Sequence, residues 1–243
     1  MASYLSNMPL WAIVLFIAGF LYSIVFIANP IKQAAIYAGM TLDSARNIKF
    51  SIVGFYIIYL AYISILSLKG VFYTNSIPPK IIVFSTIPLA IILFVIVGNT
   101  GLFKKLLWSI TLESLITMHV FRVLGVFFII LYFYHLLPAG FAFSAGMGDI
   151  ITALLAFPVA KMVSKGKSWS IKAAYAWNIF GVLDIITLLA IAVITARNSI
   201  ISGGHGEQEM TIFPFVWFPA FAPATILFLH TAIFRKLWQI KTN

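Results

Sequence analysis

Cysteine is absent from this sequence, which removes disulfides, thiolate metal ligands and thiol nucleophiles and leaves the redox compartment open. Charge is scarce as well. Only 9% of the 243 residues are charged and only six are acidic, where a soluble domain carries roughly 25% charged residues. With 62% hydrophobic residues and a mean hydropathy of +1.06, the chain cannot cover a soluble surface, so it is expected in lipid. Further absences exclude particular chemistries. The last apolar run has no lysine for a retinal Schiff base. No histidine pair stands at i, i+4, the helical spacing that suits zinc. His119 and His230, placed by run length, fall about two turns apart, which argues against a bis-histidine haem. No Gly-rich phosphate loop, nucleophile elbow or metalloprotease motif occurs. No resident cofactor and no metal are expected.

The net charge of +10 invites a nucleic-acid reading, but the basic residues lie in short loops between apolar runs. That is the positive-inside pattern of an integral membrane protein, so nucleic acid is not an expected partner. About 20 apolar residues cross a bilayer as a helix. Seven such runs are present, at roughly 10–29, 50–68, 81–98, 111–137, 143–161, 172–196 and 213–234, all read as one helical-bundle domain over 1–243. The first run has no positive flank before it and is too long for a signal core, so it is expected to be retained. Asn29-Pro30 closes it, Thr111 is a plausible N-cap for the fourth run after an interfacial stretch at 103–110, and Gly203-Gly204-His205-Gly206 punctuates the last long loop.

Of the sixteen lysines and arginines, twelve fall on one side of the runs, among them Lys32, Lys104, Lys165 and Arg235, and three on the other, Lys69, Lys80 and Arg197. This bias predicts the N-terminus outside and the C-terminus in the cytoplasm, in a bacterial-type inner membrane.

The one remaining base, Arg122, sits mid-run. A charge at that depth costs at least about 2.5–3.5 kcal/mol and needs a partner or a wet cavity. Arg122 is about eleven residues into the fourth run and Asp184 about twelve into the sixth from the same side, so at 1.5 Å per residue both reach the midplane and are expected to pair. His119 and Asn178 lie one to two turns nearer the cytoplasm. The repeats His119-x-x-Arg122-x-x-Gly125 and Asn178-x-x-Gly181-x-x-Asp184 each make a slowly rotating polar stripe, and glycine admits a close neighbour. His135 and Asp149, both towards the outer side, are expected to approach each other. Glu113 and His230 are expected near the cytoplasmic end. Tyr56, Tyr59 and Tyr62 read as a packing stripe, and Pro214, Pro219 and Pro223 as kinks whose freed carbonyls need new donors.

The polar residues are spread over several depths, which favours a transporter or proton-linked permeation protein for a small anionic or polar solute. In that reading Arg122 is the fixed cation, Asp184 its counter-ion, and Asp149, His135, His119 and Asn178 mark the path. An intramembrane enzyme acting on a lipid or other apolar substrate, with His119 or Asp149 as base, is the competing expectation. A sensor or assembly subunit with a structural ion pair is the third. The expected partners are the bilayer and a small solute or lipid substrate.

Overall fold

The computed structural model describes residues 5–74, 76–202 and 208–242. These are helical, with no strand among them beyond a single bridge between Leu5 and Phe213. Seven helices are long and apolar enough to cross a bilayer: Leu10–Tyr37, Leu42–Leu68, Ile82–Asn99, Leu112–Phe133, Ala139–Ser164, Ser170–Ser202 and Trp217–Thr242. They are numbered here as spans one to seven. A short helix, Gly101–Ser109, precedes span four. The protein is a multi-pass membrane protein.

Local chemistry sets the ends. Thr41, Thr100 and Thr111 each accept a backbone N–H three residues on, starting span two, the short helix and span four. Four spans end in a left-handed cap. At Gly39, Gly70 and Gly166 the backbone takes a positive φ, and the next N–H reaches back five residues, as from Met40 to Ala35 O at 3.1 Å. His135 does the same at φ 58, with Leu136 N–H on Leu131 O at 2.9 Å, in a place that glycine usually takes.

Helix boundaries differ from the apolar runs for physical reasons. Span one does not stop at Pro30. A proline forfeits one helical hydrogen bond, which a packed membrane helix tolerates, and Gly39 supplies the stop instead. Span two begins at Leu42, before its apolar run. Span four ends at Phe133 and span five already begins at Ala139, so Asp149 lies deeper than an apolar start at 143 implies. Span seven starts at Trp217 and continues about two turns past 234. The glycine cluster at 203–206 lies outside the described residues.

The middle of span four is a 3-10 helix, Met118–Gly125. Its sequence has a period of three: Met118, Phe121 and Leu124 on one row, His119, Arg122 and Gly125 on the next, Val120, Val123 and Val126 on the third. Three residues per turn keep each row straight, where an α-helix would rotate it. The tighter winding rises about 2.0 Å per residue against 1.5 Å, so these eight residues reach about 4 Å farther.

Span five packs closely on spans four and six, and span seven is the most enclosed of the seven. An aromatic cluster joins spans one, four and seven, with Phe128 stacked on Phe218 at 4.2 Å and Phe16 against Phe127 and Phe215. Pro223 has no N–H for the carbonyl of Pro219, and the Thr86 hydroxyl donates to that oxygen at 2.7 Å. Tyr59 donates to the Ala220 carbonyl at 3.0 Å, and Tyr56 bonds Thr225. Two of the three tyrosines therefore tie span two to span seven, while Tyr62 faces outward.

Candidate functional site

Arg122 is 1% exposed, among the largest fully buried side chains of the molecule. Its Nε donates to Asp149 Oδ1 at 2.7 Å and its Nη2 to Asp184 Oδ2. Its Nη1 lies 3.2 Å from His230 Nε2 and 3.5 Å from the Gly181 carbonyl. Arginine only donates, so His230 Nε2 accepts and the ring proton sits on Nδ1. That Nδ1 faces Asn178 Oδ1 at 2.7 Å, and Asn178 Nδ2 donates to the His230 carbonyl at 3.2 Å. Spans four, five, six and seven thus meet at one guanidinium.

Glycines make the room. A methyl group at Gly125 would lie 2.5 Å from Asp149 Cβ, and one at Gly181 would lie 2.5 Å from His230 Nε2 and 3.2 Å from Arg122 Nη1. At Gly148 it would overlap the Asp184 carboxylate, and at Gly146 it would press on Ile129 and on the Gly125 carbonyl. At Gly125, Gly148 and Gly181 the space that the missing side chain leaves is filled by charged and imidazole groups, which is why polar helices can approach so closely here.

His119, also fully buried, packs against His230 with centroids 4.1 Å apart and ring planes tilted by 34°, and meets Trp177 edge-on at 5.2 Å. Neither ring nitrogen of His119 has a hydrogen-bond partner among the described residues. Trp177 donates to the Thr152 carbonyl at 3.0 Å, joining spans five and six behind the cluster. The two imidazoles were expected about two turns apart because the apolar run ends at 234. The helix runs on to Thr242, which moves His230 inward to the depth of His119. Both ring nitrogens of His230 are already engaged, Nε2 by Arg122 and Nδ1 by Asn178, so neither is open to a metal shared with His119. No group of three or more His, Asp or Glu side chains suited to a metal ion occurs among the described residues.

Other expected site residues lie elsewhere. His135 is exposed at the cap of span four and does not meet Asp149, which lies ten residues into span five and is bound to Arg122. Glu113 is exposed in the first turn of span four, apart from the buried His230 with which it had been grouped. Trp217 belongs to the aromatic cluster and donates to Ser64 at 2.9 Å. Arg122 is enclosed, and a void of about 70 Å3 borders Asp149. Pro79, Met210 and Thr211, from the loops at the N-terminal end of the bundle, also line it. It has room for water.

Residues 77–238 match a family described as a domain of unknown function, DUF8737. The chain belongs to that family. No curated protein and no solved structure matches it. The matched stretch takes in spans three to seven and every residue of the Arg122 cluster, whereas spans one and two precede it.

Proposed function

We propose that the protein is a proton-linked transport or permeation protein for a small anionic or polar solute. We place it in a bacterial-type inner membrane with its N-terminus outside and its C-terminus in the cytoplasm. One observation carries the reading: two carboxylates and one neutral imidazole converge on a single buried guanidinium. With both carboxylates ionised the cluster holds one negative charge too many for an apolar interior, and a proton is the simplest compensation. The void bordering Asp149 offers that proton a route from the N-terminal end, and His119 offers the next polar station towards the other. An anionic solute would have to compete with Asp184, the more exposed of the two acids, for Nη2 of Arg122.

The competing reading is a brace that only fixes helix register. In its favour, Arg122 is fully enclosed and directs all three of its nitrogens at protein acceptors. Proton flux decides between the two. In vesicles holding a pH-sensitive dye, the wild-type protein should dissipate an imposed pH gradient faster than empty vesicles do. Asp149→Asn should abolish that excess while remaining folded. A wild-type rate equal to that of empty vesicles would leave the brace.

A further inference from the structure

Near the C-terminal end of the bundle, spans one, two, three, four and seven and the short helix line a cavity of about 460 Å3. Ile31, Ile52, Leu93, Phe103, Leu106 and Phe228 are among its walls, and no charged side chain lines it. That volume lies within the about 300–1,000 Å3 of small-molecule sites, but this lining is more uniformly apolar than such sites require. Leu107 forms part of its wall and also part of a second, open chamber of about 410 Å3 beside it. The second chamber has a different chemistry: Lys104, Arg235 and Trp238 line it. The Arg235 guanidinium lies 5.8 Å from the centroid of the Phe103 ring, a wall of the first cavity, and donates to the Gly98 carbonyl at 3.2 Å. It is thereby held at the junction of the two. Lys236 takes no part, since its ammonium donates to the Leu107 and Trp108 carbonyls and closes the end of the short helix. Trp108 and Trp238 are exposed beside the chambers, the side chains that favour the headgroup level of a bilayer.

An apolar chamber beside a basic one, with Leu107 as a shared wall and exposed tryptophans nearby, matches an amphiphile with an alkyl chain and an anionic head. We propose that the two chambers are one lipid site, in which an anionic phospholipid of the surrounding bilayer places an acyl chain in the apolar cavity and its phosphate between Lys104 and Arg235. Charge complementarity selects the occupant: a zwitterionic lipid fills the cavity equally well but gains less from two cations. The site is separate from the Arg122 cluster and stands whether or not that cluster moves protons.

The test is retention of defined lipids by the purified full-length protein, read by native mass spectrometry and by thermal melting. Phosphatidylglycerol, phosphatidylcholine and a polyprenyl phosphate are the three arms. One phosphatidylglycerol should stay bound per chain and raise the melting temperature above that with phosphatidylcholine. Lys104→Gln, at an exposed position, should weaken retention about fivefold, the equivalent of about 1 kcal/mol for one basic side chain near an anionic head. Ser51→Phe, which puts a ring into the cavity it lines, should abolish retention. Equal retention of phosphatidylcholine overturns the headgroup assignment. Displacement of phosphatidylglycerol by an equal concentration of polyprenyl phosphate overturns the choice of occupant. Retention unchanged by both substitutions overturns the site.

Discussion

A guanidinium has five N–H bonds, and in an apolar interior each one left without an acceptor is costly. Arg122 directs one at Asp149, one at Asp184, and those of Nη1 at Gly181 and His230. Removing it strands two carboxylates rather than one. Arg122→Leu should therefore cost at least the about 3–5 kcal/mol of a broken buried pair. Adding Asp184→Leu should recover only part of that loss, because Asp149 stays unpaired, and adding Asp149→Asn should recover more. Thermal melting in detergent reads the series, and strictly additive losses would show that the three residues are not coupled. Arg122→Lys keeps the charge, but its three donors leave one nitrogen and cannot reproduce the planar fork whose separate nitrogens reach Asp149, Asp184 and His230. It should fold, melt lower and lose any proton flux.

The helices carry their irregularities where a neighbour repairs them. Pro223 leaves the Pro219 carbonyl without its helical donor, and Thr86 of span three supplies one. Thr86→Val keeps the shape and removes the hydroxyl, so it should cost about 1–3 kcal/mol, the penalty for an unsatisfied buried carbonyl. In a Pro223→Ala background, where the backbone N–H returns, the same change should cost less. An equal cost in both backgrounds would dissociate Thr86 from the proline.

At the N-terminal end the short 3-10 turn Gln208–Thr211 buries Glu209, whose Oε1 has no partner among the described residues. Burial raises its carboxyl above the usual range, and a hydrogen bond with Ser6 acts the other way. The folded state thus holds its proton at a pH where the unfolded state has released it. Stability should fall as pH rises from the unfolded carboxylate value through the raised folded one. Glu209→Gln should flatten that dependence and melt higher at neutral pH. A melting profile unchanged by the substitution would show that Glu209 does not titrate in this window.

For the whole molecule, the proposed orientation rests on seven helices long enough to cross a bilayer, an odd number, and on the uneven distribution of lysine and arginine between their two ends. A reporter fused after Asn243 should read cytoplasmic, and one inserted at Gly204 should read external. The reverse at both positions would invert the proposed orientation.

The number of crossings and the existence of a polar seam follow from the sequence alone, because both depend on composition along one dimension. Hydropathy counts the spans, and residue number times rise places Arg122 and Asp184 at one depth. The threefold repeat of span four was also legible, though it spelled a straight 3-10 row rather than a turning α-helical stripe. What depended on the tertiary structure was rotation about each helix axis and the true helix ends. Span five begins four residues before its expected start at 143, which lowers Asp149 by about 6 Å and away from His135. Span seven outruns its apolar stretch and brings His230 against His119 and Arg122. Neither shift leaves a mark in hydropathy, because a helix continues wherever its backbone hydrogen bonds are satisfied, whether or not its side chains are apolar.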